Sequence, residues 1–301
     1  MSQAIEALLS RSTKVDVVPY GRCLAAEIRG VDFSSPMNDA TADTIHAALM
    51  RYGVIFFRDV EMTPLEHVAF GRLFGDLTTH PFHPHVDGLP EVTVLDNHKD
   101  RPAFTTDVWH SDETFRMNPP MGTILRCIQR PPHGGDTLWA DMNAAYKGLS
   151  SAMQSFLSGL EAVHDFNNFR RKFDHLPLRE RHQKIAELEE QLPNPVIPVV
   201  QIHPVTGQEV LFVNELYTMS IKGLRADESK AVLNFLFQQA KMPEYQFRFH
   251  WEPNSMVFWE NRRTQHYASN DYLPDRRVMH RVTVRSDERS LRKKGIVNSV
   301  G

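Results

Sequence analysis

The chain has 301 residues, of which 41 % are apolar and 24 % charged, with a formal net charge of −3 at pH 7. These values are ordinary for a globular protein, and the net charge does not indicate a basic surface for binding nucleic acid. No apolar run approaches the ~18 residues that span a bilayer. Cys23 and Cys127 form no Cys-x-x-Cys pair, and the N-terminus lacks the basic and apolar regions of a signal peptide. We therefore expect a cytoplasmic protein with two free thiols that binds neither nucleic acid nor a membrane.

The first quarter of the chain, about residues 1–75, predicts a mixed α/β portion. Two short strand-like runs around Gly21 precede a helix over residues 40–52, and the apolar run 54–57 is typical of a buried strand. A second helix begins at the sequence Thr63-Pro-Leu-Glu66, which has the pattern of a capping box with proline at the first helical position.

From residue 90 onward, short strand-like runs separated by proline and glycine favour a sandwich or barrel over β-α-β units. These runs are 91–95, 122–128, 137–139, 160–164, 196–203, 209–213, 245–251, 256–259 and 277–284. Helices are predicted at 150–157 and 227–241. The charged segment 167–195, with a helix over 179–192, interrupts the strands and predicts a lid insertion. We expect a single, mainly β domain with flanking helices over residues 1–301.

His110 and Asp112 are the first candidates for chemistry. If the chain is extended there, both side chains leave the same face and offer one nitrogen and one oxygen ligand. Two more His-x-Asp pairs begin at His85 and His98, so the motif alone does not identify the site. With His266 far downstream, the first pair would complete the 2-His-1-carboxylate set of non-haem iron oxygenases.

The last strand-like run places Arg277 and Arg281 on one face. A buried guanidinium needs an anion, and its planar fork suits a carboxylate, sulfonate or phosphate. Thr137, which follows a Gly-Gly turn, could share such an anion. A metal with two open positions beside a guanidinium fits a bidentate 2-oxoacid.

Six motifs carry a resemblance to a known family. They are Trp109-His-Ser-Asp-Glu-Thr-Phe115, Gly134-Gly-Asp-Thr-Leu-Trp139, His203-Pro-Val-Thr-Gly207, Leu211-Phe-Val-Asn-Glu215, Gln265-His-Tyr267 and Tyr272-Leu-Pro-Asp-Arg-Arg-Val-Met-His-Arg281. Together they resemble the taurine/2-oxoglutarate dioxygenases (the TauD/TfdA group) over nearly the whole chain. The resemblance selects His110 and Asp112 over the other two pairs.

The resemblance implies a double-stranded β-helix, a jelly-roll core with helices packed outside. It implies that His110, Asp112 and His266 bind Fe(II), and that Arg277 and Thr137 hold the distal carboxylate of 2-oxoglutarate. The family consumes O2, releases CO2 and succinate from 2-oxoglutarate, and hydroxylates a carbon of the substrate. It also implies a homo-oligomer, a dimer or a tetramer.

For the substrate, the resemblance implies that Arg281 and His80 grip a sulfonate. His83, Thr106 and Glu113 stand at family positions around the rest of the substrate, and they differ from the residues that taurine enzymes carry there. The predicted substrate is a small anion, taurine or a related organosulfonate, hydroxylated beside sulfur to release sulfite and an aldehyde.

Alternatives remain open at this point. Alkyl sulfate esters and aryloxyalkanoates also place an anion near a C–H bond. A metal-dependent hydrolase, such as a zinc enzyme, could use the same three ligands, but a dedicated 2-oxoacid arginine would then have no role. A non-catalytic ligand sensor is the third class, and an intact ligand set argues against it.

Overall fold

The computed structural model describes residues 5–6, 9, 15–101, 107–287 and 289. Within them the strands are β1 (Asp16–Pro19), β2 (Ala26–Arg29), β3 (Val54–Phe57), β4 (Leu77–Thr78), β5 (His85–Val86), β6 (Leu89–Asn97), β7 (Gly122–Gln129), β8 (Thr137–Asp141), β9 (Glu161–His164), β10 (Val196–Pro198), β11 (Val200–Ile202), β12 (Glu209–Leu211), β13 (Thr218–Ile221), β14 (Gln246–Phe249), β15 (Met256–Glu260), β16 (Thr264–Ala268) and β17 (Arg277–Val284). The α-helices are α1 (Asp39–Tyr52), α2 (Pro64–Arg72), α3 (Met142–Lys147), α4 (Ser151–Leu157), α5 (Leu178–Gln191) and α6 (Ala226–Gln239), with 3-10 turns at Asn167–Phe173 and Pro243–Tyr245.

Two sheets form the centre of the molecule. The major sheet has the strand order β1-β2-β3-β15-β7-β17-β6-β5, and β4 pairs with the end of β17. It is antiparallel except between β2 and β3. The minor sheet has the order β14-β8-β16. Smaller ladders join β9 to β10 and β13, and β11 to β12.

The two sheets face each other across one apolar layer. Phe56 and Trp259 of the major sheet share this layer with Trp139 of the minor sheet, and the two indole rings lie 5.5 Å apart between centroids. Because neighbouring strand residues point to opposite faces, Phe57 packs instead against α1 and α2 on the outer face. Burial on both faces explains why β3 is a continuous apolar run rather than an alternating one.

The first two helices begin where the sequence predicts, whereas α3 (Met142–Lys147) was not predicted. Asn38 caps α1 by accepting a hydrogen bond from the backbone N–H of Thr41 at 2.9 Å. At α2, Thr63 and Glu66 form the predicted capping box, each side chain accepting from the other's backbone N–H. No helix in the described part of the chain is both long and apolar enough to traverse a bilayer.

The predicted run 196–203 is not one strand. Val199 lies between β10 and β11, and it donates to the carbonyl of Leu160 while its own carbonyl accepts from Phe212. The chain therefore changes partners there: β10 pairs with β9, and β11 pairs with β12. Periodicity could not show this, because both strands have the same local pattern.

The segment 167–195 packs onto the molecule through a few apolar residues. Phe169 of the 3-10 turn and Leu188 of α5 are buried in a cluster with Phe115, Phe166 and Tyr217. The rest of α5 is mostly polar and mostly exposed. The segment is thus anchored beside the loop that follows His110.

Candidate active site

His110 and His266 are brought together by backbone pairing. The N–H of His110 donates to the carbonyl of His266 at 3.0 Å, and the N–H of His266 donates to the carbonyl of His110 at 2.7 Å. This isolated antiparallel bridge extends the edge of the minor sheet, where His266 lies on β16. Directly opposed residues bring their side chains close, and the two imidazole rings lie 4.1 Å apart between centroids.

Asp112 is held by groups from distant parts of the chain. The Asn261 side chain accepts from the backbone N–H of Asp112 at 2.6 Å and donates to its carbonyl at 2.8 Å. The same amide donates to the carbonyl of Pro120 at 3.1 Å. Thr123 on β7 donates its hydroxyl proton to Asp112 Oδ2 at 2.6 Å. The backbone and the carboxylate are therefore both oriented before any ligand binds.

Ligand atoms of His110, Asp112 and His266 all lie within 4.8 Å of one another. Nδ1 of His110 donates to the carbonyl of Val108 at 2.7 Å, which leaves the Nε2 lone pair for a ligand. Among the residues that the structure describes, no other group of three His, Cys, Asp or Glu side chains comes this close. Within the described part of the chain, the pairs that begin at His85 and His98 belong to no such group.

The protonation states suit a divalent cation. Burial lowers the pKa of His110, and burial with the charge of His110 lowers the pKa of His266 to about 3, so both imidazoles are neutral. Burial alone would raise the pKa of Asp112, but Arg281 and the two histidines outweigh it and lower the pKa to about 2. Two neutral nitrogens and one carboxylate are the donor set of the non-haem iron oxygenases.

A cavity of about 340 Å³ opens beside the two histidines. Its lining consists of Phe82, His83, Pro84, Val94, Leu95, Asp96, Asn97, Arg101, His110, Leu125, Thr137, Lys172, Trp259, His266, Ala268, Arg277 and Arg281. Among the residues that the structure describes, this lining carries four cationic side chains and a single carboxylate. That carboxylate, Asp96, accepts hydrogen bonds from Arg276 at 2.8 and 2.7 Å. The cavity is therefore suited to anions.

Arg277 lies in this cavity with 4 % of its surface exposed. Its Nε donates to the carbonyl of Gly135 at 3.2 Å, and its Nη2 lies 3.5 Å from the hydroxyl oxygen of Thr137. Trp251 donates to the same hydroxyl at 3.0 Å. Among the described residues no carboxylate lies within 4.0 Å of this guanidinium, and burial lowers its pKa from the ordinary value. A buried cation in this setting requires an anionic ligand.

Arg281 lies on the same face of β17 and has 8 % of its surface exposed. Its Nη1 donates to Asp112 Oδ1 at 3.2 Å, and Nη2 is 4.0 Å from Glu113 Oε1. Within the described part of the chain, Nε and Nη2 have no hydrogen-bond acceptor. Two guanidinium nitrogens of Arg281 are therefore left without an acceptor among the described residues.

The other predicted substrate residues differ in their position relative to the cavity. His83 lines the cavity, whereas His80 is buried behind it with the two rings 4.4 Å apart. Glu113 does not line the cavity, and its carboxylate accepts from Nε of Arg116. Thr106 lies outside the described residues.

Four residues of the site were not identified from the sequence. Asn261 and Thr123 orient Asp112, and Lys172 and Arg101 line the cavity. Asn261 lies in the Trp-Glu-Asn-Arg turn before His266, so proximity to a candidate ligand was an available signal. Lys172 belongs to the insertion 167–195, which has so many charged side chains that the sequence does not distinguish Lys172 from the others.

Comparison with known proteins supports one family. Residues 16–283 match the family model described as "Taurine catabolism dioxygenase TauD, TfdA family". The chain is 34 % identical over 289 residues to an alpha-ketoglutarate-dependent sulfate ester dioxygenase of Pseudomonas putida, covering 94 % of each chain. It is 33 % identical to an alkylsulfatase of Acinetobacter baylyi, covering 87 % of this chain and 82 % of that one.

A solved structure agrees with these similarities. A crystal structure of a taurine dioxygenase from Burkholderia xenovorans superimposes with a TM-score of 0.76 at 35 % identity, covering 91 % of this chain and 90 % of that one. The prediction of a jelly-roll core with flanking helices is therefore confirmed.

Proposed function

Because the chain belongs to the TauD/TfdA family of dioxygenases, we propose that His110, Asp112 and His266 bind Fe(II) next to a 2-oxoglutarate site at Arg277. The enzyme is a 2-oxoglutarate-dependent oxygenase and uses O2. Bound iron supplies the oxidising chemistry of this class. The residues around it supply ligand geometry, orientation and shielding from water.

The observation that carries the proposal is the buried Arg277 guanidinium in the same cavity as His110 and His266, two of the three proposed ligands. A carboxylate of 2-oxoglutarate would supply the anion that this cation needs, with Thr137 as a second donor. A hydrolase would leave Arg277 without a counter-ion. The keto acid end would then lie toward His110 and His266, which line the same cavity.

The substrate that we propose is a small sulfate ester or organosulfonate. Two nitrogens of Arg281, Nε and Nη2, would donate to its anionic end, and this end would lie next to Asp112 and hence next to the metal. His83 and, behind it, His80 complete this side of the site. An ammonium group such as that of taurine would meet cations, because Arg276 already holds Asp96, the one carboxylate among the described residues of the lining. We therefore favour substrates without an amine.

The products distinguish the two substrate types. Hydroxylation of the carbon that bears the sulfate oxygen gives a hemiacetal ester that collapses to an aldehyde and sulfate. Hydroxylation of the carbon beside a sulfonate sulfur gives an aldehyde and sulfite. In both cases one O2 and one 2-oxoglutarate are consumed, and succinate and CO2 are released.

The metal and cosubstrate assignment can be tested without turnover. Metal-free protein is mixed anaerobically with Fe(II) and 2-oxoglutarate, and we expect a weak visible charge-transfer band that disappears in His110→Ala. The matched control is His182→Ala, at an exposed position on α5, which should keep the band. A wild-type protein that binds Fe(II) but gives no band would favour the hydrolase or the sensor.

Sulfate and sulfite release from a panel of alkyl sulfates and sulfonates then identifies the substrate. Taurine as the best substrate by a wide margin would contradict our account of the cavity charge. The lid role of residues 167–195, the single domain, the homo-oligomer and the cytoplasmic location stay predictions.

A further inference from the structure

The indole of Trp251 lies against both residues that we assign to a carboxylate of 2-oxoglutarate. Its Nε1 donates to the hydroxyl oxygen of Thr137 at 3.0 Å. Its ring centroid lies 5.8 Å from the guanidinium carbon of Arg277, a distance at which an aromatic ring attracts a cation. Trp251 is 2 % exposed and is not among the described residues that line the cavity. An effect of Trp251 on a ligand would therefore pass through these two neighbours.

The position of Trp251 follows from the pairing of β14 with β8. Phe249, the last residue of β14, lies opposite Thr137, the first residue of β8. Trp251 follows two residues later, and its ring meets that of Phe249 edge to face with centroids 5.0 Å apart. Both rings belong to the apolar layer between the two sheets. A buried indole N–H needs an acceptor, and the Thr137 hydroxyl supplies it.

The hydrogen bonds of the Thr137 hydroxyl determine what its proton can do. An indole N–H and a guanidinium N–H can only donate. Within the described part of the chain, the hydroxyl has two such partners, Nε1 of Trp251 at 3.0 Å and Nη2 of Arg277 at 3.5 Å. A hydroxyl has two lone pairs and one proton, so both contacts occupy lone pairs. The proton is left for a third group, and that group has to be an acceptor.

We propose that Trp251 is a positioning residue for 2-oxoglutarate, which fixes the Thr137 hydroxyl as a donor to the distal carboxylate. This inference rests on the proposed function and deepens it. Thr137 and Arg277 both line the cavity, so the hydroxyl proton and the guanidinium are available to the same anion. Without the indole N–H the hydroxyl rotates more freely, and some of its orientations present a lone pair to the carboxylate. Trp251 takes no part in the chemistry at the metal.

Trp251→Phe removes the N–H but keeps a ring beside Arg277, so it isolates the hydrogen bond. Binding of 2-oxoglutarate is titrated anaerobically through the charge-transfer band of the Fe(II)-loaded protein. We expect its dissociation constant to rise about three- to tenfold, as loss of one buried hydrogen bond does. The kcat at saturating 2-oxoglutarate and the KM of the oxidised substrate should stay within about twofold of wild type, because only binding of the cosubstrate changes.

A second keto acid separates positioning from a structural role. 2-Oxopentanoate has the same carbon chain as 2-oxoglutarate but no distal carboxylate, so the Thr137 proton has no partner on it. We therefore expect Trp251→Phe to leave the affinity for 2-oxopentanoate unchanged. A disturbed fold would weaken the binding of both keto acids alike.

A double-mutant cycle with Thr137→Val shows whether Trp251 acts through the hydroxyl. In the Thr137→Val background, Trp251→Phe should have no further effect on the dissociation constant of 2-oxoglutarate, because the group that it orients is gone. Trp139→Phe is the matched control. Trp139 is fully buried in the same apolar layer, and its Nε1 has no hydrogen-bond acceptor within the described chain. This variant loses the same atoms and should bind 2-oxoglutarate within about twofold of wild type.

Three results would overturn the positioning role: unchanged affinity for 2-oxoglutarate in a folded Trp251→Phe, an equal loss of affinity for both keto acids, or the same rise with and without the Thr137 hydroxyl. If melting of the metal-free protein shows that Trp251→Phe is unfolded, benzothienylalanine at position 251 gives the same comparison, since it has the size of tryptophan without the N–H. In each case wild type keeps its charge-transfer band, whereas failure of the proposed function removes that band from wild type.

Discussion

Nε of Arg277 donates a hydrogen bond to the backbone carbonyl of Gly135 at 3.2 Å, and this contact depends on the absence of a side chain at Gly135. Gly135 has φ of +71°, and a Cβ there would lie 3.2 Å from Cδ of Arg277 and 3.2 Å from Cγ of Pro131. Asp271 Oδ1 accepts from the N–H of Gly135 at 2.8 Å and fixes the turn. The Gly134-Gly135 turn therefore positions the guanidinium as well as leading into β8.

Gly135→Ala should displace Arg277 and raise the KM for 2-oxoglutarate by about tenfold, besides costing ~1–3 kcal/mol of stability from the positive φ. Gly159→Ala is the matched control. Gly159 has φ of +78° with nothing within 4 Å of its Cβ position. An alanine there has the same backbone strain as at Gly135 but makes no contact with Arg277. Steady-state kinetics at varied 2-oxoglutarate would show the difference. An equal KM in both variants would mean that Gly135 does not position Arg277.

Asn261→Ala should weaken metal binding. It removes the acceptor for the backbone N–H of Asp112 and the donor for its carbonyl, and loss of such an orienting partner typically costs 10–100-fold in metal affinity. Anaerobic titration with Fe(II) would measure it, and melting of the metal-free protein would show whether the variant is folded. Asn234→Ala, at an exposed position of α6, should bind metal as wild type does. Unchanged affinity in a folded Asn261→Ala would refute the positioning role.

The sequence could predict what depends on local pattern. Strand alternation put Arg277 and Arg281 on one face, and both line the cavity. The register shift between Val278 and Met279, where β17 pairs with β7, had no local signature. Periodicity identifies strands but not their partners, so the bridge between His110 and His266 could be expected only from the resemblance.

The residues that the sequence did not reveal act through distant contacts. Nothing in the neighbours of Asn261 shows that its amide reaches the backbone of Asp112. Lys172 is one of many charged residues in its segment, and its place in the cavity depends on the packing of Phe169 against Phe82 and on its hydrogen bond to the Phe82 carbonyl. His80 was predicted beside the substrate; it is buried and does not line the cavity, its ring lies 4.4 Å from that of His83, and its role in substrate binding stays a prediction.

Arg277 and Arg281 should differ in which ligand they affect. Arg277→Gln should raise the KM for 2-oxoglutarate about 10- to 100-fold, as loss of a charged hydrogen-bond partner does, and leave the KM for the oxidised substrate within about twofold. Arg281→Gln should show the reverse. Arg285→Gln, just past the end of β17 and more than half exposed, is the control and should change neither constant appreciably. The same kinetic effect from Arg277→Gln and Arg281→Gln would mean that the two anion sites are misassigned.

His67 on α2 should make the free energy of unfolding depend on pH. Burial, with the charges of Arg126 and His280, lowers the pKa of His67 to about 3, whereas an unfolded histidine has a pKa of about 6.5. Between these values the unfolded chain binds a proton that the folded protein does not. The stability that depends on His67 being neutral is therefore complete above about pH 6.5. Below this value the free energy of unfolding falls by up to ~1.4 kcal/mol for each pH unit.

His67→Leu removes this titration, so its free energy of unfolding should fall less steeply than that of wild type between pH 6 and pH 5, by about 1 kcal/mol per pH unit. Urea denaturation of the metal-free protein at each pH gives the slopes. Some slope should persist, because burial also lowers the pKa of His164 to about 4. His182→Leu, at an exposed position of α5, should keep the wild-type slope. If His67→Leu and wild type lose stability in parallel, His67 is not the neutral buried group that its surroundings require.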